Sequence, residues 1–339
     1  MLTYECNSKC KTCNIWKIYK RNPELKRNEL SLEEFDKIFS SIGKNILWVN
    51  LGGGEPFLRK DLVEICESLY QHCTPVLTHI LTNCILPHQT FRKLKKILTS
   101  SHFPYIKVNL SLDGIGEKHD EIRGKKGNFR NFLILFKKLK KLQLNFPNLK
   151  IGINTVISTH NFSYFEEIYQ FISYLKPDSF NFEIAQNRYE FFNLNPSFHF
   201  SLKEYKYLVE KIKHKIYHDF FINSSTVSRF THLFTLALHS TLSKGIKLNR
   251  GLTCYSGFSF CQIDPFGNLW FCGTLGQKLS AGNLREYDYN FRKIWFSTRA
   301  QELRNFMRKN RCSCNLANAF YNSVLPQLQV LLKILLSKY

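Results

Sequence analysis

The sequence lacks any apolar run long enough to cross a bilayer. Its longest apolar stretches, Ile46 to Leu51 and Val330 to Leu336, are far shorter than the ~20 residues that a membrane-spanning helix needs. A basic segment followed by an apolar one is also missing after Met1, so the start does not resemble a secretory signal. We therefore expect a soluble, cytoplasmic protein.

Acidic residues are scarce: 26 Asp and Glu stand against 48 Lys and Arg, which gives a net charge of +22. A field of that sign attracts nucleic acid, anionic lipid or an acidic protein, and the charge alone does not choose among them. Lysine is spread along the whole chain, which favours a solvated basic surface over one dedicated patch. The sequence therefore gives no firm indication of nucleic-acid binding.

Disordered tracts, internal repeats and low-complexity segments are absent, and 44% of the residues are hydrophobic, so we expect a folded core. A length of 339 residues suits one large domain with an appendage, or two ordinary domains. The 11 cysteines are an odd number in a chain without a secretory signal. This pattern indicates metal or redox chemistry in a reducing compartment rather than a disulfide framework.

Short β-rich runs alternate with helix-like segments over residues 1–220. The predicted strands are Leu2–Cys6, Ile46–Leu51, Val76–Leu81, Ile106–Leu112, Ile151–Ile157 and Phe180–Ala185, and the predicted helices are Leu32–Ile42, Asp61–Cys73, Gln89–Leu98, Phe129–Leu144, Tyr164–Leu175 and Leu202–Tyr217. Such alternation favours βαβ units and a parallel sheet. Because a full eightfold barrel needs about 250 residues, we expect an α/β fold with a partial (β/α)6 TIM-like barrel.

The alternation of strands and helices stops after about residue 220. Residues 221–250 read as a linking helical segment, and residues 251–318 as a small α+β domain. That domain is predicted to contain a hairpin, Phe258–Asp264 with Asn268–Cys272, and a helix over Phe291–Lys309. An apolar helix is expected at 319–339. It either docks on the barrel or a second subunit, or it lies on anionic lipid.

Three thiols, Cys6, Cys10 and Cys13, directly follow the first predicted strand. Their spacing would also suit the buried stripe of a helix, but the residues between them are polar, and barrel active sites lie at strand ends. A zinc ribbon needs paired C-x2-C knuckles, and Cys10 with Cys13 is the only such pair in the sequence. Three thiolates suit a [4Fe–4S] cluster, which has four iron corners, so one iron would stay open.

A glycine-rich edge, Gly52-Gly53-Gly54-Glu55-Pro56, follows the second predicted strand. Glycines there let a ligand approach the backbone, and a carboxylate such as Glu55 accepts hydrogen bonds from an ammonium group. Alone the segment indicates little more than a turn. It matches neither the dinucleotide-binding glycine pattern nor a P-loop.

Together the cysteine loop and the Gly-Gly-Glu-Pro edge resemble the radical SAM superfamily, where both motifs occur in this order. The resemblance implies that Cys6, Cys10 and Cys13 hold a [4Fe–4S] cluster whose open iron binds S-adenosylmethionine (SAM). It further implies a set of residues that contact SAM: Gly53, Gly54 and Glu55 at its methionine end, then Ser111, Arg123 and Asn154, with Asn83 as a further candidate. The family's frequent aromatic residue before the last cysteine is Thr12 here, which leaves adenine packing to other groups.

A second cysteine group lies in the small domain. Cys254, Gly267 and Cys272 match the pattern C-x9-15-G-x4-C, which resembles the opening of SPASM/twitch extensions that hold auxiliary Fe–S clusters. The resemblance implies one auxiliary cluster with the ligands Cys254, Cys272, Cys312 and Cys314, and with Cys261 as a rival for one place. We interpret Cys66, Cys73 and Cys84 as buried structural residues.

The resemblance implies a radical SAM enzyme that cleaves SAM reductively to a 5′-deoxyadenosyl radical and abstracts hydrogen from a substrate. A peptide or protein side chain is the first expected substrate, and a small metabolite or sugar is the alternative. An electron donor such as flavodoxin or ferredoxin is the expected partner. The alternative of another class is a non-enzymatic, basic nucleic-acid-binding protein with an Fe–S or zinc site, which would have no use for Gly53, Gly54 and Glu55.

Overall fold

A computed structural model describes residues 1–194, 201–222, 226–243, 253–309, 317–325 and 327. The predicted ligands Cys312 and Cys314 lie outside the described residues, as does most of the predicted C-terminal helix. In the described part, no helix is both long enough and apolar enough to cross a membrane.

The main sheet is parallel and follows the chain order. Its five regular strands within the described ranges are β1 (Trp48–Leu51), β2 (Leu77–Thr82), β3 (Tyr105–Ser111), β4 (Leu149–Ile157) and β5 (Ser179–Ile184), each paired with the next. Helices connect successive strands. This architecture confirms the predicted partial barrel.

The predicted first strand, Leu2–Cys6, is shorter in the structure than in the prediction. It forms one parallel bridge, Thr3 with Gly53, supported by hydrogen bonds from Leu2 N to Gly52 O (2.8 Å) and from Gly54 N to Thr3 O (2.7 Å). The ladder stops there because the chain turns into the cysteine loop. The segment thus extends the sheet beyond β1 without being a regular strand.

The α-helices of the described ranges surround this sheet and continue into the C-terminal part. They are α1 (Ile18–Arg21), α2 (Leu32–Ile42), α3 (Leu62–Cys73), α4 (Pro87–Ser100), α5 (Glu117–Arg123), α6 (Asn128–Gln143), α7 (Phe165–Leu175), α8 (Leu202–Ile216), α9 (Thr226–Ser243), α10 (Phe291–Trp295), α11 (Thr298–Lys309) and α12 (Ala317–Val324). A π-helical turn, Tyr217–Ile222, follows α8.

Helix α2 shows how local sequence sets these bounds. Ser31 accepts a hydrogen bond from Glu34 N, and the Glu34 side chain accepts one from Ser31 N, which completes a capping box. Gly43 ends the helix with φ 64°, a conformation that glycine adopts at little cost. The predicted and observed bounds of α2 therefore agree.

The small C-terminal sheet is antiparallel, with β6 (Gln262–Ile263), β7 (Asn268–Trp270) and β8 (Ser280–Asn283) in that order. The predicted hairpin is present but shorter, and β8 was not predicted. The predicted helix Phe291–Lys309 is split into α10 and α11, because Ser297 accepts a hydrogen bond from Ala300 N and starts a new helix. The core of this part is continuous with the barrel core.

The predicted linking helical segment, 221–250, contains α9 (Thr226–Ser243), which packs against neighbouring helices. Leu233 and Phe234 of α9 are buried in a second apolar cluster with Tyr205 of α8 and Phe320 of α12. This cluster holds α9 and α12 beside β5.

Candidate active site

The cysteine loop is positioned by the N-terminal segment, which runs beside the glycine-rich edge. Glu55 N donates to Glu5 O at 2.8 Å, one residue before Cys6. Glu29 holds the same segment from the other side, since its Oε1 accepts from Tyr4 N (2.9 Å) and from Thr3 Oγ1 (2.6 Å). The first thiol is thus placed by backbone pairing.

Gly53 and Gly54 are required by this pairing. A Cβ atom would lie 2.3 Å from Thr3 O at Gly53 and 2.1 Å from Glu5 O at Gly54, and these distances are far inside van der Waals contact. Sequence reasoning attributed the glycines to the approach of a ligand. The structure adds that the chain's own N-terminal segment makes the close approach.

The middle of the cysteine loop lies against the end of α5. Lys9 N donates to Arg123 O at 3.0 Å, and Lys11 N donates to Ile122 O at 2.9 Å. Ser8 Oγ also donates to Arg123 O, at 2.8 Å. The backbone of Arg123, a residue predicted to contact SAM, therefore supports the loop between Cys6 and Cys13.

The end of the loop is held by the segment after β5, which sequence reasoning missed. Asn14 N donates to Phe191 O at 2.9 Å, and Asn193 Nδ2 donates to Thr12 O at 2.8 Å. On its other side the segment meets the residues after Cys272, where Glu190 N donates to Gly273 O at 3.1 Å. No short-range sequence pattern announces contacts over such separations.

The thiols influence each other electrostatically. Burial raises the pKa of Cys6 to about 12, with Cys10 as the next largest contribution. Burial and then Cys10 also raise the pKa of Cys13. The Arg123 guanidinium acts in the opposite direction on both thiols, so the loop brings the three thiols near one fixed positive charge.

Arg123 itself is held by Asp113. Its Nη1 donates to Asp113 Oδ2 at 3.0 Å, and the side chains are 11% and 2% exposed. Burial alone would lower the pKa of Arg123, but Cys10 and Asp113 raise it above its usual value. Its Nε is buried without a hydrogen-bond partner, so one donor beside the thiols is available to a ligand.

Glu55 and Asn83 form the neighbouring wall. Glu55 Oε2 accepts from Asn83 N at 2.6 Å, and Oε1 accepts from Phe57 N at 3.2 Å. Burial raises the pKa of Glu55 to about 7, against these hydrogen bonds, which lower it. Asn83 Nδ2 reaches the cysteine loop through Asn7 Oδ1 at 2.7 Å and lies 3.8 Å from Cys6 Sγ.

Ser111, the last residue of β3, is the register partner of Asn154, which lies in the carboxyl-terminal half of β4. Both are partly exposed on the inner face of the sheet. The structure thus gathers the predicted site residues along one edge of the sheet. They follow the N-terminal segment, β1 and β2, or lie on β3 and β4, at the edge where parallel barrels carry their active sites.

The donor set fits an iron–sulfur cluster better than a single ion. Among the described residues, no group of three or more His, Cys, Asp and Glu side chains is placed to hold one metal ion. A [4Fe–4S] cube takes each thiolate on a different iron, so its ligands need not converge on one atom. The nearby Arg123 charge favours thiolates, and its unpaired Nε suits an anionic ligand beside them.

In the C-terminal part, Cys254 lies within electrostatic range of Cys272. Burial raises the pKa of Cys272, and Cys254 raises it further. Burial raises the pKa of Cys261 to about 12, and the N-terminal ammonium and then Arg304 act in the opposite direction. The arrangement pairs Cys254 with Cys272 and gives Cys261 different surroundings.

Two family models match the chain. The model of the radical SAM superfamily matches residues 1–172, and that of an iron–sulfur cluster-binding domain (SPASM) matches residues 254–315. The matched ranges contain the two cysteine groups described above.

Individual proteins are similar over most of the chain. Mycofactocin maturase MftC of Mycolicibacterium smegmatis is 27% identical over 325 residues, which cover 92% of this chain and 73% of the relative. Streptococcus suis SuiB bound to precursor peptide SuiA has a TM-score of 0.63 at 19% identity and covers 94% of this chain and 69% of its own. A structure of anSMEcpe with bound AdoMet has a TM-score of 0.64 at 15% identity, and the match covers 99% of this chain and 98% of that one. These two likenesses support the fold.

Proposed function

The chain belongs to the radical SAM superfamily, and we propose that it modifies a peptide, by abstracting hydrogen from one of its residues. The observation that carries this substrate class is the similarity to a mycofactocin maturase over 92% of the chain. A likeness to a structure that holds a precursor peptide in the same fold supports it.

The cofactors are a [4Fe–4S] cluster and SAM. The SPASM domain in addition binds auxiliary Fe–S clusters. Reductive cleavage of SAM at the cluster supplies the 5′-deoxyadenosyl radical. We assign Cys6, Cys10 and Cys13 as the cluster ligands. The chain's own part is to hold these thiols in place through the N-terminal segment, the end of α5 and the segment after β5, and to keep Arg123 beside them.

We assign Gly53, Gly54, Glu55, Asn83, Ser111, Arg123 and Asn154 to the SAM site. Their common position at the carboxyl edge of the sheet supports the assignment. Glu55 would hold the SAM ammonium, because its carboxylate is anchored by Asn83 N and Phe57 N and still has lone pairs to accept another donor.

We further propose that residues 251–318 bind one auxiliary cluster, with Cys254 and Cys272 among its ligands, and that residues 1–220 act as the radical SAM barrel. The remaining ligands are assigned to Cys312 and Cys314, outside the described residues. The segment after β5 lies between the two cysteine groups and would couple them mechanically.

The electron donor is proposed to be flavodoxin or ferredoxin, in the cytoplasm. The basic surface that a net charge of +22 creates would attract such acidic partners.

Anaerobic reconstitution with iron and sulfide, followed by reduction with dithionite in the presence of SAM, tests the chemistry. We expect 5′-deoxyadenosine, with a higher yield when a candidate precursor peptide encoded beside the gene is added, and a mass change in that peptide. Formation of 5′-deoxyadenosine with a small metabolite modified and every such peptide left unchanged would overturn the peptide assignment.

A further inference from the structure

The inner face of the sheet carries a polar layer beneath the proposed SAM site. Asn109 of β3, Gly152 of β4 and Ser179 of β5 lie side by side in the register. The layer above them toward the carboxyl edge contains Ser111 and Asn154. Because two residues along a strand span about 6.6 Å, this lower layer lies directly beneath the residues assigned to SAM.

Lys107 of β3 extends into this layer. It is 7% exposed, and among the described residues its ammonium forms no ion pair. The charge that acts on it most is Asp178, whose Oδ2 is already bound by Gln143 Nε2 and Ile151 N. A buried ammonium without a counter-ion is costly, and burial accordingly lowers the pKa of Lys107 to about 8.

Gly152 makes the room for this side chain. A Cβ atom there would lie 1.8 Å from Asn109 Oδ1, 2.7 Å from Lys107 Cε and 2.9 Å from Ser179 Oγ. The three side chains therefore converge over one glycine. We call Lys107, Asn109 and Ser179 the lumen cluster.

Polar atoms in and beside the lumen cluster are buried without hydrogen-bond partners. They include Asn109 Oδ1, Ser179 Oγ and Nε2 of the adjacent His79. Burial and then the Lys107 charge lower the pKa of His79 to about 3, so its ring is neutral. Orphaned polar atoms of this kind are rare in folded proteins. Of these three, Ser179 Oγ is the one that can donate to an anion, and it converges with Lys107 Cε over Gly152.

The lumen is closed on the side where a full barrel would have further strands. Tyr321 of α12 stacks on Trp48 of β1, with ring centroids 6.5 Å apart. Its hydroxyl lies 3.0 Å from Thr235 Oγ1 of α9, which donates to Asn181 Oδ1 of β5 at 3.3 Å. On the same inner face the side chains of Trp48 and Leu81 remain 38% and 37% exposed. A ligand can therefore enter the lumen from the solvent along these two apolar side chains.

We propose that the lumen cluster binds a carboxylate of the peptide substrate, with Lys107 as its counter-ion and Ser179 donating to the second oxygen. This inference rests on the proposed function and names the chemical group by which that substrate is recognised. The apolar approach past Trp48 and Leu81 would take the substrate's neighbouring side chains. The bound group would then lie one layer beneath the SAM site.

A carboxylate fits better than a phosphate. The described residues offer one cation and one hydroxyl, which match two oxygens sharing a single negative charge. The neutral His79 acceptor beside them would oppose a second negative charge. The carboxylate has two possible sources, the C-terminus of the peptide or an Asp or Glu side chain.

Calorimetric titration of the reconstituted, SAM-loaded protein tests the proposal with four probes: N-acetyl-alanine, its amide, N-acetyl-aspartate α-amide and inorganic phosphate. We expect the two carboxylates to bind, and the tighter one to identify the source. Lys107→Gln should weaken that binding at least tenfold. The matched control is Lys150→Gln. Lys150 is the register partner of Lys107 on β4, and its ammonium donates to Pro147 O at an exposed position. We expect this variant to bind the carboxylate probes as tightly as the parent chain does.

Equal binding of acid and amide, equal binding by the Lys107→Gln variant, or preferred binding of phosphate would overturn the proposal. If Lys107→Gln does not fold, Ser179→Ala serves instead, since it removes the hydroxyl proposed to donate to the second oxygen, and that hydroxyl has no hydrogen-bond partner among the described residues. A mass change in the precursor peptide after reaction with the parent chain reports on the proposed function separately. A modified peptide with no carboxylate binding would therefore remove this inference alone.

Discussion

Glu34 and Arg285 form a two-point ion pair that joins helix α2 of the barrel to the C-terminal part. Arg285 Nε donates to Oε1 at 2.6 Å and Nη2 donates to Oε2 at 2.9 Å, across 251 residues of sequence. Tyr289 OH donates to the same carboxylate at 2.8 Å. Glu34 also completes the capping box of α2, so one side chain sets a helix start and a domain contact.

Replacing Glu34 by Gln should lower the free energy of unfolding by about 1–2 kcal/mol, because a charge-assisted pair becomes neutral hydrogen bonds. Urea denaturation measures the change. Glu33→Gln is the matched control, since Glu33 is the adjacent residue, lies at the surface and accepts a hydrogen bond from Ser31 Oγ. An equal loss in both variants would contradict a specific role for Glu34.

The same pair predicts an acid dependence. Burial alone would raise the pKa of Glu34, but Arg285, Ser31 and Tyr289 lower it from 4.5 to about 2. Because the pKa of Glu34 is lower in the folded than in the unfolded chain, ionised Glu34 contributes its full stabilisation above pH 4.5. This stabilisation is lost as the pH falls from 4.5 towards 2. Denaturation at several pH values should give a shallower decline in Glu34→Gln than in the parent; parallel curves would refute the linkage.

Replacing Cys10 by Ala should abolish reductive cleavage of SAM and leave the chain folded, since the loss of one thiolate breaks the cluster but not the barrel core. Chromatography of 5′-deoxyadenosine and circular dichroism check the two parts. Cys73→Ala is the control, because Cys73 lies at the end of α3 with its thiol directed to Phe39 O. Product formed at the parent rate by the Cys10 variant would show that the cluster lies elsewhere.

Replacing Cys254 and Cys272 together by Ala should lower bound iron by about four atoms per chain, because both thiols are assigned to one auxiliary cluster. Iron and sulfide analysis after anaerobic reconstitution measures this. Cys66→Ala, which removes a fully buried thiol from the core, should keep the parent iron content. Unchanged iron in the double variant would exclude an auxiliary cluster at this pair.

Gly54→Ala should displace the N-terminal segment, since the new methyl group would lie 2.1 Å from Glu5 O. We expect a loss of about 2 kcal/mol or more in stability and a matching loss of iron at Cys6, Cys10 and Cys13. Gly127→Ala separates this clash from backbone strain, because Gly127 has φ +79° and no atom within 4 Å of its added Cβ. It should lose about 1 kcal/mol and no iron.

Elements governed by local periodicity were predictable. The bounds of α2 agree because Ser31, Glu34 and Gly43 are its own start and stop signals. The strands β1 to β5 were found within a few residues, since short runs rich in apolar residues alternate with helix-like segments along this part of the chain. The cysteine spacing and the glycine-rich edge likewise indicated the cofactor from residues close in sequence.

Features that depend on distant residues were not predictable. The third strand of the small sheet, β8, is defined by its pairing with β7, and its own four residues do not show the pattern of a strand. The helix predicted over Phe291–Lys309 breaks because Ser297 competes as a cap, which periodicity does not detect.

The sequence by itself determined the family, the parallel α/β barrel and the cysteines that carry the chemistry, because these follow from spacing along one segment of chain. Only the tertiary structure decided that Arg123 lies beside all three thiols, that the segment after β5 connects both cysteine groups, and that Lys107 is buried beside Gly152. Each of these depends on the register of neighbouring strands or on loops from separate βα units meeting at one edge. Burial and pairing of that kind arise only when the strands assemble into the sheet.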